Sequence, residues 1–377
     1  MKRYYLHRRR GIYYAELTKN GVKLSARSTG TKNRDEAVEK VLEWLKNGLP
    51  TRTGGEQGFI DFLLEFWNPA RSLFLKDKAA HGDPVTKRYC QEATRIIKQN
   101  WQPYFGKIPL SDVTKTKLRE FGLSLSDQGL SGGTINNRMV AGCQPLRWAF
   151  QEKLLRENIT EGLNPYKRNE RKRDIFTHEE IESLFSVPWD NNRAYVAALT
   201  ALTSGLRIGE ILGLRRKSIG DDILHITNNW NPVDGEKLPK NGETREAPLY
   251  PEVKTLLNGL LAESPWAGMD NPFVFYNLTS SDRPYRDSNI RDGLFRAMKM
   301  AGISREGRKL DYHSLRHTFS TMTAKKVSLE KIALILGHKT LSQTSRYSGH
   351  VLESDIKEIT DAGKEIFGKI LQFKKGA

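Results

Sequence analysis

The chain of 377 residues is poor in cysteine, with only two. Cys90 and Cys143 sit on separate helix-like patterns without C-x-x-C spacing, which excludes a disulfide framework and a cysteine zinc site and leaves two ordinary buried thiols. Long apolar runs are missing as well. None approaches the ~20 residues of a membrane span, and the start "MKRYYLHRRR" lacks the apolar segment of a signal peptide. The expectation is a soluble cytoplasmic protein with no membrane partner. There is no internal repeat and no low-complexity tract, so a solenoid is excluded. Neither an acidic cluster of metal-site type nor a Gly-rich phosphate loop is found, so neither a metal nor a nucleotide cofactor is expected. Negative charge is also scarce: 44 Asp and Glu face 61 Lys and Arg, a formal net charge of +17. Such a field attracts polyanions, and nucleic acid is the first candidate. Charge alone leaves open a basic protein with no such partner, or one drawn to anionic lipid.

What is present reads as a multidomain α+β chain in three segments. Residues 1–50 alternate in strand fashion through "YYLHRRRGIYYAEL" and "GVKLSARSTG", then change period at "NRDEAVEKVLEWLKNG". There Asn33 is the N-cap, Glu36 follows three residues on, and Ala37, Val41, Leu42 and Leu45 share a face. The prediction is a three-stranded sheet on one helix, with Arg8, Arg9 and Arg10 as candidate DNA contacts. A solvated basic edge strand fits the same residues. After the linker "LPTRTGGEQG", residues 57–165 carry three apolar helical stripes with basic residues beside them. They suit either an all-helical domain clamping a duplex through its phosphates or plain solvated helix faces. The stretch "FLKDKAAHGDP" fits neither a long helix nor a tight turn.

A second linker, "NPYKRNERKRD", is strongly basic, and Lys167, Arg168, Arg171, Lys172 and Arg173 are candidates to track DNA. Residues 174–377 then mix helices with a small antiparallel sheet. They end in an amphipathic helix whose Ile356, Ile359, Ile366, Ile370 and Leu371 need a cover, from this domain or from a neighbouring subunit.

Within this last segment "LTSGLRIGEILGL" places Arg207 and Glu210 three apart on a helical pattern. A surface ion pair is the plain reading of that spacing. In "LDYHSLRHTFSTM", His313 and Arg316 are again three apart near a helix start marked by Asp311, which describes an anion site. His317 points elsewhere on the helix and is read as structural. "LGHKTLSQTSRY" places His338 after an apolar helix and Tyr347 nine residues on. In "KLPKNGETREAPL" the Asn241-Gly242 pair predicts a hairpin with Lys240 at its tip, where a lysine is ordinarily just solvated.

These four stretches resemble, in order and spacing, the motifs of the tyrosine recombinases, the phage integrase family. Arg216, Ser218 and Asn241 depart from frequent residues of the pattern at non-catalytic positions. The resemblance implies a small arm-type DNA-binding domain (1–50), a helical core-binding domain (57–165) and a mainly α catalytic domain (174–377). It implies Arg207, Lys240, His313, Arg316 and His338 around the nucleophile Tyr347, with Glu210 in support and no metal or ATP. The implied partners are double-stranded DNA at core and arm-type sites, a homotetramer exchanging tails on two duplexes, and accessory DNA-bending or directionality proteins.

The chemistry asks for the same residue types. A phosphodiester attacked by a phenol gathers negative charge, which guanidinium groups match bidentately. The Tyr phenol, with a pKa near ~10, needs a base, for which His313 is the candidate. His338 suits a further phosphate hydrogen bond, Lys240 the protonation of the leaving 5'-oxygen, and Glu210 the orientation of a neighbouring side chain. The rival enzyme is a type IB topoisomerase, which religates its own strand. The rival from another class is a non-catalytic DNA-binding regulator derived from a recombinase.

Overall fold

A computed structural model describes residues 4–9, 11–19, 22–23, 26–47, 57–168, 174–239, 242, 244–337 and 353–372. The chain forms two compact units, Met1–Asn169 and Glu170–Ala377.

The first unit opens with β1 (Tyr4–Arg9) antiparallel to β2 (Ile12–Lys19), Tyr4 opposite Leu17 and Arg9 opposite Ile12. Gly11, with φ +86°, makes the tight turn between them. Two short strands, β3 (Val22–Lys23) and β4 (Arg27–Ser28), both pair with β2, so the sheet has four strands where the sequence pattern predicts three. Helix α1 (Arg34–Asn47) starts where the Asn33 side chain accepts from the Asp35 N–H, and it buries Ala37 and Val41. Val41 packs with Ala15 and Leu17 of β2, whereas Leu42, expected on the same face, is 53% exposed. Trp44 completes the face in its place.

Farther along are α2 (Phe59–Phe66), α3 (Leu73–Ala80) and α4 (Lys87–Ile96), the last running through a π-helical turn at Ile97–Trp101 into α5 (Gln102–Phe105). Helices α6 (Lys115–Asp127) and α7 (Gly132–Gln151) follow. The side chains of Ser72, Thr86, Thr114 and Ser131 each accept from the backbone N–H three residues on, which explains where four of these helices begin. Their core is aromatic: Phe59 meets Phe105 at 5.1 Å and Trp101 meets Phe121 at 4.6 Å between ring centroids. Cys90 and Cys143 are free and buried, and burial pushes the Cys143 thiol up to about 11, so it stays protonated at neutral pH. The stretch at 74–84 contains most of α3. Periodicity misses it because Leu75 is buried while Leu73 is 64% exposed, so no single apolar stripe forms.

The second unit is built around α9 (Asn192–Ser204), buried at every residue from Ala194 to Ser204. Against it pack α10 (Ile208–Leu212), α11 (Pro251–Ala262), α12 (Asp287–Met300) and α13 (Tyr312–Thr323). A layer outside is formed by α8 (His178–Ser186), α14 (Leu329–Leu336) and α15 (Glu353–Gln372). Two antiparallel ribbons complete the unit: β5 (Ile223–Ile226) with β8 (Arg245–Pro248), and β6 (Asn229–Asn231) with β7 (Gly235–Lys237). The expected hairpin across Asn241-Gly242 is therefore corrected: the strands flanking that pair each have another partner. Gly242 N–H does close a turn onto the Pro239 carbonyl. The ribbon turn lies instead at Asn231–Gly235, where the Asn231 side chain accepts from the Val233 and Asp234 N–H groups. Helix α15 buries Ile356, Ile359, Phe367, Ile370 and Leu371 within its own unit, against α8, α11, α13 and β8. Of the two covers open to the tail, it takes the one in its own chain. Among the described residues no helix is long and apolar enough to cross a membrane.

Candidate active site

The site begins where α9 stops. Gly205 holds φ +68° and a Cβ there would lie 2.6 Å from Phe319 and Leu336, so the chain turns sharply without a side chain. Two residues later Arg207 takes the N-cap position of α10. Its backbone N–H donates to Glu210 Oε2 and its Nη1 to Glu210 Oε1, both at 2.8 Å. Ile211 and Leu212 face the core as the pattern requires. The pair is not on the surface, however: Glu210 is 1% exposed. Burying a carboxylate is costly unless cations and hydrogen bonds surround it.

Those cations come from far along the chain. Arg245, the first residue of β8, grips Glu210 with both terminal nitrogens, at 3.0 Å to Oε1 and 2.7 Å to Oε2, and its Nε donates to the Ile335 carbonyl at 2.6 Å. Arg316 of α13 is buried, with Nη1 3.9 Å from Glu210 Oε2. It donates to the Gly205 carbonyl at 2.7 Å and the Leu336 carbonyl at 2.6 Å. Burial alone would raise the Glu210 carboxyl, but Arg245 and Arg207 hold it below the ordinary carboxylate range. Burial, together with the like charges of Arg207 and Arg245, pushes Arg316 down to about 9 against the pull of Glu210, which leaves it cationic at neutral pH. Three guanidinium groups therefore share one carboxylate, and the cluster keeps an excess of positive charge. Arg207 is the member that reaches outward, with 22% of its side chain exposed. Its Nε and Nη2 make no hydrogen bond to any described residue.

His313 stands one turn before Arg316. Its helix start is pinned by Asp311, whose carboxylate accepts from the His313 and Ser314 N–H groups at 2.9 and 3.2 Å. His317 is not remote from this chemistry: its ring meets that of His313 edge-on, centroids 4.8 Å apart. The i, i+4 spacing was the available signal. Arg245 was the other residue overlooked, because a lone arginine opening an apolar strand carries no pattern.

Arg207, Glu210 and Arg316 are thus brought together, with His313 on the same helix as Arg316. Lys240, His338 and Tyr347 lie outside the described residues, as do Arg10, Arg171, Lys172 and Arg173. Arg8 and Arg9 are exposed on β1, their guanidinium groups 5.7 and 5.6 Å from the Tyr13 and Tyr14 ring centroids. Lys167 and Arg168 are exposed too.

Residues 174–353 match the phage integrase family. The ICEBs1 integrase of Bacillus subtilis (strain 168) is 23% identical over 283 residues, covering 72% of this chain and 76% of that protein. A tyrosine recombinase XerC from Neisseria gonorrhoeae is 24% identical, covering 74% of this chain and 88% of that one. Among solved structures, the Tn1549 transposon integrase bound to a circular intermediate DNA superposes with a TM-score of 0.58 at 19% identity, over 81% of this chain and 98% of that one. The lambda integrase tetramer bound to a Holliday junction gives 0.58 at 17% identity, over 91% and 94%. The likeness to these structures shows the fold. The chain carries, over residues 174–353, a domain of the phage integrase family, and the curated relatives it matches include tyrosine recombinases. It is a DNA recombinase.

Proposed function

We propose that this recombinase serves a mobile element, and that it cuts and rejoins duplex DNA at a specific site through a 3'-phosphotyrosine on Tyr347. The observation that carries the reading is the arginine cluster around Glu210, followed in the chain by the motif that ends in Tyr347. Arg207 has three N–H donors, on Nε and Nη2, without a partner among the described residues, and those suit the non-bridging oxygens of a scissile phosphate. Arg316 supplies a second positive charge from the buried side of the site, where low dielectric makes that charge more effective. His313 takes the phenol proton of Tyr347, which attacks phosphorus and expels the 5'-oxygen. Lys240 protonates that oxygen, and His338 adds a hydrogen bond to the phosphate. The phosphotyrosine preserves the bond energy, so a 5'-hydroxyl attacking in reverse restores the phosphodiester without ATP. The transposon integrase among the structural relatives favours a mobile element, and the lambda integrase tetramer on a junction favours a tetrameric synapse. In this scheme the sheet of residues 1–50 binds arm-type sites through Arg8, Arg9 and Arg10. Residues 57–165 clamp the core site, and the basic linker from Lys167 to Arg173 follows the duplex from that segment to the catalytic domain.

The test is a nicked duplex carrying the joined ends of the element. The wild-type protein is expected to become covalently attached at the 3' side of the cut and to exchange strands between two duplexes. Tyr347→Phe is expected to bind the duplex as well as wild type and form no adduct. Adduct formation by Tyr347→Phe would remove Tyr347 as nucleophile, and adducts without strand exchange would favour a topoisomerase.

A further inference from the structure

We infer that Arg245 is a positioning residue of the recombination site, setting the phosphate-binding arginine and the end of α14 in a single contact; the inference rests on the function proposed above. Three hydrogen bonds define it. Two go to the carboxylate oxygens of Glu210, whose other contacts fix the backbone and Nη1 of Arg207. The third goes from Nε to the carbonyl of Ile335 in the last turn of α14. The neighbouring carbonyl, of Leu336, accepts from Arg316. The last carbonyls of a helix lack intrahelical donors and carry partial negative charge, so two guanidinium groups there satisfy both needs.

Gly337, with φ +63°, ends α14 against the Arg245 side chain, a Cβ there lying 3.3 Å from Arg245 Cδ. The chain then runs on to His338, the next residue, and to Tyr347, ten residues beyond Gly337. The clamp arginine and the helix end that precedes the nucleophile's segment in the sequence thus share one anchor. Arg245 is 8% exposed and each of its three nitrogens donates to a protein acceptor, so it acts through Arg207 and α14.

A planar fork is required for this role. A lysine can restore the positive charge beside Glu210, but one ammonium cannot reach both carboxylate oxygens and the Ile335 carbonyl from a single point. Stability and reaction rate therefore separate in Arg245→Lys. With the full-length protein, we expect Arg245→Lys to melt within a few degrees of wild type and to bind the nicked duplex with unchanged affinity. Its single-turnover rate of adduct formation should fall about 10- to 100-fold, the size of loss that a small misplacement of reacting groups produces. Arg245→Met should lose thermal stability as well, because Glu210 then keeps its burial and loses its main counter-charge.

If Arg245→Lys forms the adduct at the wild-type rate, the positioning role is wrong. If rate and melting temperature fall together in Arg245→Lys, Arg245 serves the fold alone and the inference is again overturned. Absence of an adduct with the wild-type protein would instead sink the recombination chemistry proposed above, and the role of Arg245 with it.

Discussion

The two units bury different things. The helices of the first unit close over Phe59, Trp67, Trp101, Phe105 and Phe121, and the polar groups they bury are few and small. The second unit has an equally apolar core around α9, yet it also buries Glu210 and Arg316 and nearly buries Arg245. An aromatic core lowers the free energy of the fold wherever it occurs. Buried charge rarely does so better than an apolar substitute of the same shape. The contrast marks the part of the molecule that accepts a cost in stability, and that part coincides with the candidate site without reference to any motif.

The contrast can be sharpened by experiment, and the largest effect concerns rate. If Lys240 protonates the leaving oxygen, Lys240→Ala should lose about 10²- to 10⁴-fold in cleavage, the usual contribution of a general acid. Replacing the bridging 5'-oxygen with sulfur should restore most of it, since a thiolate leaves unprotonated. An alanine at Arg207, which damages the charge clamp, should not be rescued by sulfur. Equal rescue of both would assign Lys240 to phosphate contact and pass the acid role to His313.

Next come two variants of similar cost and opposite consequence. Glu210→Ala leaves Arg207, Arg245 and Arg316 facing one another, and removing one partner of a buried ion cluster destabilises by about 3–5 kcal/mol. Trp101→Ala empties the centre of the first unit at about the same cost, ~3–5 kcal/mol. In denaturant titrations the two should look alike. In adduct formation per folded molecule, only Glu210→Ala should fail. If Trp101→Ala abolished cleavage as completely, the division between a fold-making unit and a chemistry-bearing unit would not hold.

A smaller effect tests whether the tail belongs to the second unit. Gly363 of α15 sits so close to Tyr250 that a Cβ would lie 1.9 Å from the phenol oxygen, which has no hydrogen-bond partner among the described residues. Gly363→Ala should destabilise the protein by about 1–3 kcal/mol through overpacking. A neutral result would mean that in solution the tail rests elsewhere, as on a neighbouring subunit.

The smallest effect is in pH. The folded-state pKa of Glu210 lies below its ordinary 4.5. Its ionised form therefore stabilises the fold fully above that value, and the contribution disappears as pH falls through the folded-state pKa. Equilibrium unfolding of wild type and Glu210→Gln should accordingly differ most at neutral pH and converge as the solution is acidified below about pH 4. A constant difference across that range would show that Glu210 is not held ionised by the arginines.

How much of this was legible beforehand varies with the range of the interaction. Helix starts at Ser72, Thr86, Thr114 and Ser131 depend on a side chain and an N–H three residues away, and local sequence encodes them. The apolar stripe of α15 was equally plain, through Ile356, Ile359 and Ile370. Helix α3 was not, since its two leucines face different ways. The Asn241-Gly242 pair signalled a turn correctly but not the pairing of its flanks. Register is chosen by burial of Leu224, Ile226 and Ala247 between β5 and β8, a contact across more than twenty residues.

By itself the sequence determined an excess of cations that favours a polyanionic partner, the order of the segments, and residue types suited to holding and attacking a phosphodiester. Those are matters of composition and short spacing. Only tertiary structure decided that Glu210 is interior, that Arg245 and Arg316 close on it from β8 and α13, and that α15 covers its own domain. A carboxylate three residues from an arginine looks the same in sequence whether water or protein surrounds it. The dielectric around it, and the partners that make its burial tolerable, come from residues 35 and 106 positions farther along the chain.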